Sequence, residues 1–154
     1  MDSRGITPAI GLVILVVITV LLASTVLYLG SIDLAEDSSR IVIEGTVDPA
    51  ADRITLQHAG GDSLSVTEID IRVFVDDRPL KHQPPVPFTG AKGFDEAPSG
   101  PFNSQSSHKW DPGERASLSL AGTNEPLPTV DSTVVVRISS GDTLIAEVTL
   151  THVE

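Results

Sequence analysis

The chain has 154 residues, enough for one domain with an appendage and too few for two ordinary domains. It contains no cysteine, which excludes a disulfide framework, a thiolate metal site and a cysteine nucleophile. Its net charge of −11 argues against a nucleic-acid partner, which needs a basic footprint, and against docking on anionic lipid.

No charged residue lies between Arg4 and Asp33, and Ile10 to Leu22 is apolar apart from Thr19. As a helix rising 1.5 Å per residue, the uncharged stretch 6–32 would span roughly 40 Å, against about 30 Å for a bilayer core. It is apolar all round and not along one stripe, so lipid or other helices must surround it. The positions expected to make those contacts are Ile10, Gly11, Ile14, Val17, Leu21 and Leu22. Tyr28 falls near the end of the stretch, where an interfacial aromatic belongs. Three plainer readings compete: a cleaved secretory signal, a simple membrane anchor and a buried core helix. The run is long for a signal's apolar region, and no clear A-x-A site follows it.

The residues ahead of the run carry more. Arg4-Gly5 is followed by Ile6-Thr7-Pro8-Ala9-Ile10-Gly11, so a short charged leader ends on a small residue and the apolar helix begins at once. This arrangement resembles the class III signal of archaeal type IV pilins, particularly haloarchaeal ones. In that family a basic residue and Gly or Ala precede the cut. An aliphatic residue, Ser or Thr, and Pro then open the mature chain. The resemblance implies cleavage between Gly5 and Ile6 by a membrane-embedded prepilin peptidase, with Arg4, Gly5, Ile6, Thr7 and Pro8 forming the recognised segment. Archaellins share the leader logic but lack the Thr-Pro-Ala-Ile-Gly continuation. Pro8 would be the third mature residue, inside a first helical turn, where a missing N–H costs little.

From Asp33 onward the composition is that of a polar domain, with 9 − 20 = −11 charges. Such an acidic surface fits either an ordinary acidic protein or one from high-salt cells, and the pilin resemblance favours the second. Period-two alternation predicts strands around Ile41–Ile43, Ile54–Leu56, Ile69–Val75, Ser117–Leu120, Val134–Ile138 and Leu144–Leu150. Asp48-Pro49, Gly60-Gly61-Asp62, Asp111-Pro112-Gly113 and Ser140-Gly141-Asp142 punctuate them as turns. The expected class is α+β: a long hydrophobic N-terminal helix followed by an antiparallel all-β sandwich, Ig-like, as a head. Residues 1–5 would be leader, 6–32 the membrane or filament-core helix, and 33–154 the extracellular head. Two short motifs, His58-Ala59-Gly60-Gly61-Asp62 and Trp110-Asp111-Pro112-Gly113-Glu114, resemble recurring features of haloarchaeal pilin heads.

Between Asp77 and Gly113 the alternation stops, and seven of the eleven prolines cluster there with Phe88, Phe94, Phe102 and Trp110. Such a segment is either an exposed contact loop or a rigid flap packed on the strands. Trp110, abutting the next strand, fits the flap. The four histidines show no metal-ligand spacing, and no nucleophile-elbow, P-loop or dinucleotide fingerprint occurs. The expectation is therefore no metal, no cofactor and no enzymatic activity.

The resemblance implies a structural subunit of a type IV pilus-like filament serving adhesion or biofilm formation. Its partners would be other copies of itself in a helical filament, the prepilin peptidase, and an assembly ATPase with its membrane platform. The precursor would reside in the cell membrane and the mature subunit in the filament on the cell surface. The main alternative is a single-pass membrane-anchored extracellular binding domain that never polymerises. A minor pilin and a membrane-anchored enzyme are the others.

Overall fold

A computed structural model describes residues 6–30 and 41–153, with side chains described at 9–23 and 41–153. The expected leader residues Arg4 and Gly5 lie outside the described residues, as do the side chains of Ile6, Thr7, Pro8 and Tyr28. The chain divides into two compact units, Met1–Ser38 and Ser39–Glu154.

The first unit contains α1, Ile6–Gly30. The helix has no acidic residue in its first turn and no basic residue in its last. The single polar side chain of its described part, Thr19, turns its hydroxyl back onto the Val16 carbonyl at 2.8 Å.

The second unit is a β domain. Its long strands are β1 (Val42–Asp48), β2 (Arg53–Gly60), β4 (Asp70–Val75), β7 (Arg115–Ser119), β8 (Val134–Ser140) and β9 (Thr143–Thr149). Four two-residue strands complete it: β3 (Leu64–Ser65), β5 (Arg78–Pro79), β6 (Lys109–Trp110) and β10 (Thr151–His152). One sheet has the order β10-β1-β2-β7 and a second β5-β4-β8-β9, with β3 and β6 paired apart. The inward residues of both sheets share one aliphatic core. Val47, Ile54, Leu56 and Leu118 come from the first sheet, and Val73, Val75, Val134, Val136 and Ile138 from the second.

Turn chemistry sets the register. Asp48 Oδ1 accepts from the Ala50 and Ala51 amides, which closes the β1–β2 corner. Asp76 and Asp77 both have positive φ, 50° and 62°, so β4 and β5 meet through a two-residue turn of the hairpin type. Asp76 also accepts the Thr133 amide through Oδ1 and donates its own N–H to the Thr133 carbonyl, which sets β8 beside β4.

The expected fold class requires correction. Among the described residues no helix is long and apolar enough to cross a membrane. The expected long hydrophobic N-terminal helix, read as a membrane-crossing element, is therefore withdrawn. The chain is mostly β-sheet, and its sheets are not purely antiparallel, because β10 runs parallel to β1 with Thr46 opposite Thr151. The cause is local. After β9 the chain steps across at Leu150, whose amide still donates to Val134 of the second sheet. Thr151 and His152 then join the edge of the first sheet in the direction of β1. Period-two alternation marks the faces of a strand but carries no information on which sheet its last two residues join.

Candidate assembly surface and head loop

Along α1 the described large apolar side chains are all exposed. They range from 47% at Ile18 to 64% at Leu12 and include Ile10, Ile14, Val17, Leu21 and Leu22. Consecutive exposed residues from Leu12 to Ile18 leave no polar face. Apolar surface of this kind drives association with other apolar surface, and each side chain removed from water contributes about 1.5–3 kcal/mol. Gly11 has nothing within 4 Å of where a Cβ would stand.

In the head, the proline-rich segment is a packed flap. Phe88, Phe102 and Trp110 are buried, and Phe94 is partly buried against the same core. Phe102 meets Trp110 edge-on with centroids 4.9 Å apart. The flap follows the outer edge of β7. The Asp95 amide donates to the Ser119 carbonyl, the Ser99 amide to the Ser117 carbonyl, and Phe94 bridges Leu120.

Two side-chain amides fasten the flap, and nothing in their sequence surroundings announces them. Asn124, fully buried, accepts the His82 amide through Oδ1 and donates through Nδ2 to the carbonyls of His82 and Gly93. Gln83 accepts the Val73 amide through Oε1 at 2.7 Å and donates back to the Val73 carbonyl at 3.0 Å. Its side chain thereby occupies the edge of β4 as a neighbouring strand would.

The two short motifs, some fifty residues apart in sequence, meet in space. His58 donates its backbone N–H to the Glu114 carbonyl and accepts from the Gly113 amide at 2.6 Å. Trp110 Nε1 donates to the same Glu114 carbonyl at 3.1 Å. The buried His58 ring donates from Nε2 to the Asp62 carbonyl, and its Nδ1 has no partner among the described residues. Outside this clasp, Asp111 is bound by the Lys109 ammonium at 2.8 Å and by the Ser63 hydroxyl. Those hydrogen bonds, the Lys109 one foremost, hold its carboxyl below the usual aspartate value.

Among the described residues the chemistry-bearing side chains are not gathered. Nε2 of His108 bonds the Ser104 carbonyl and Nε2 of His152 the Ser132 carbonyl, each as a local tie. Among the described residues no three His, Asp or Glu side chains are grouped to hold a metal ion. The chain matches no protein-family model and no curated protein.

Proposed function

We propose that this chain is a structural subunit of a type IV pilus-like filament, polymerised through α1 and displaying its β domain outward. The observation that carries the reading is the all-round apolar exposure of α1 beside a separate domain with its own complete core. A helix without a polar face is stable only when other apolar matter surrounds it, and copies of itself supply that. The Arg4-Gly5-Ile6-Thr7-Pro8 segment supports processing by a prepilin peptidase, since removing residues 1–5 takes away Asp2 and Arg4 and leaves α1 whole.

In this reading the precursor sits at the cell membrane, and an assembly ATPase with its platform drives the subunit into the growing filament. Transfer between two apolar surroundings gains little hydrophobic free energy, so the work must come from outside. Release of α1 from the filament into water would expose its apolar side chains together, at tens of kcal/mol as an upper bound. The filament is therefore held kinetically, with no covalent bond between subunits. Its uses are surface adhesion and biofilm formation.

The test is the mature N-terminus combined with electron microscopy of expressing cells. A chain beginning at Ile6 and present in filaments is the expected result. An uncut chain in cells without filaments would replace this reading with the anchored binding domain.

A further inference from the structure

An exposed strand edge offers a row of free N–H and C=O groups to any other extended chain, and folded proteins usually cover such edges. Most edges of this head are covered. The flap lies along β7, Gln83 and Pro79 blunt the edge of β4 and β5, and β10 is two residues long. β9 differs. It is seven residues long, pairs with β8 on one side, and among the described residues no hydrogen bond engages its other side. Among the described residues the only comparable bare stretch is the start of β1, ahead of its pairing with β10 at Thr46.

The ladder fixes which groups point outward. The Leu150 amide donates to Val134, so Leu150, Val148 and Ala146 alternate as the residues bonded to β8. Glu147 and Thr149 therefore direct their N–H and C=O groups away from the sheet, and a bulge at Ile145, which packs against the core, separates them from Thr143 and Leu144. The edge carries no proline, and its one charge, Glu147, is held by Arg137 across the strand, which also lies over the Phe74 ring at 4.8 Å. Leu144 is 56% exposed, and the core-facing Ala146 and Val148 are only half-buried, so the core is open along this side.

We propose that β9 is a self-pairing edge, adding antiparallel to β9 of a second copy about a two-fold axis. Two features select a second copy as the occupant. β9 is the longest bare edge on the head, so strand addition between two heads joins it to itself. Its charge is already neutralised by Arg137, so two such edges meet without the repulsion that the −11 charge imposes elsewhere. In a filament all copies point the same way and neighbours are related by a screw axis, so a two-fold pairing joins heads of separate filaments. That consequence rests on the filament reading, whereas the pairing does not. Each contact is small, and many along two parallel fibres act together.

The absence of cysteine supplies the test. Full-length chains carrying Leu144→Cys, Ala146→Cys or Val148→Cys are held in detergent micelles at molar salt under a mild oxidant. A two-fold antiparallel pair centred on one of these positions brings it opposite its own copy, and one centred on Ile145 or Glu147 brings 144 opposite 146 or 146 opposite 148, so the variants are oxidised singly and as those mixed pairs. The expected result is a disulfide-linked dimer at one of them, formed about tenfold faster than with Thr123→Cys on an exposed loop, because pairing raises the effective concentration. Adding Glu147→Pro, which removes an outward N–H and no bond to β8, should return the rate to that of the loop control. Equal rates at β9 and at the loop, or no dimer from any β9 position, would overturn the pairing. Loss of filaments alone would leave these rates unchanged, so failure of the filament reading shows separately.

Discussion

The rings of His58 and Trp110 stand perpendicular, with centroids 5.7 Å apart, and join the end of β2 to the turn ahead of β7. Both are fully buried, and Phe102 closes the other side of Trp110. This trio is where the flap meets the core.

Replacing Trp110 with Ala removes the largest buried side chain of the head and the donor to Glu114. The expected cost is about 3–5 kcal/mol of head stability. Chemical denaturation of the chain from Ser39 to Glu154 should show it as a lowered midpoint with little change in slope. Trp110→Phe should cost less, since the cavity is smaller.

Gly100 and Gly113 both have positive φ, 62° and 94°, but their surroundings differ. A Cβ on Gly100 would lie 2.1 Å from the Arg115 carbonyl oxygen, whereas one on Gly113 meets nothing within 4 Å. Gly113→Ala should therefore cost only the backbone strain, about 1–2 kcal/mol. Gly100→Ala adds a clash with backbone that cannot swing aside, and about 1–3 kcal/mol more is expected. Thermal melting of the two variants side by side tests the order.

Asn124 supplies three hydrogen bonds from one buried amide. Asn124→Leu keeps the volume and leaves the His82 amide and carbonyl unsatisfied, while the Gly93 carbonyl keeps the Ala121 amide, at about 1–3 kcal/mol for each buried group that water cannot reach. The effect should be local before it is global. Hydrogen exchange at His82 should accelerate, while the amides of β8 remain protected at low denaturant.

Asp111 gives the pH prediction. Its folded value is lowered by the Lys109 and Ser63 hydrogen bonds, so its contribution is present above the unfolded value of 3.8 and disappears as pH falls through the folded one. The carboxylate is half-exposed, and molar salt should shrink the Lys109 part of the effect. Following the Asp111 side-chain carbon by NMR should place its midpoint below 3.8, and Lys109→Ala should move it upward. A midpoint that Lys109→Ala leaves unmoved would remove the stated cause.

Val17→Asp tests the role of α1. Val17 is 52% exposed in the single chain. In the single chain a carboxylate at this exposed position is solvated and costs little. In a bundled core every subunit would repeat the same unpaired, desolvated charge, and the penalty multiplies along the fibre. On the proposed filament reading the variant should be exported and trimmed at Gly5 yet give no filaments by electron microscopy. Filaments of normal length would show that α1 does not form the core.

The strands were legible because period two is a local property. Ile71, Val73 and Val75, and Val134, Val136 and Ile138, alternate with exposed or half-buried neighbours and became the facing walls of the core. The turns at Asp48, Gly141 and Gly113 were equally local, each fixed by a side chain that caps its own backbone or by a glycine free to take positive φ. The apolar character of α1 likewise needs only composition. What only the tertiary structure decided depends on residues far apart in sequence. The parallel step of β10 onto β1, the amides of Gln83 and Asn124 serving as backbone partners, and the meeting of His58 with Trp110 all join segments thirty or more residues distant, apart from Gln83, which reaches ten. The burial of the proline-rich flap was undetermined for the same reason. Its aromatics carry no periodicity, and whether they face water or core is set by the open edge of β7, which exists only once β2 has paired with it.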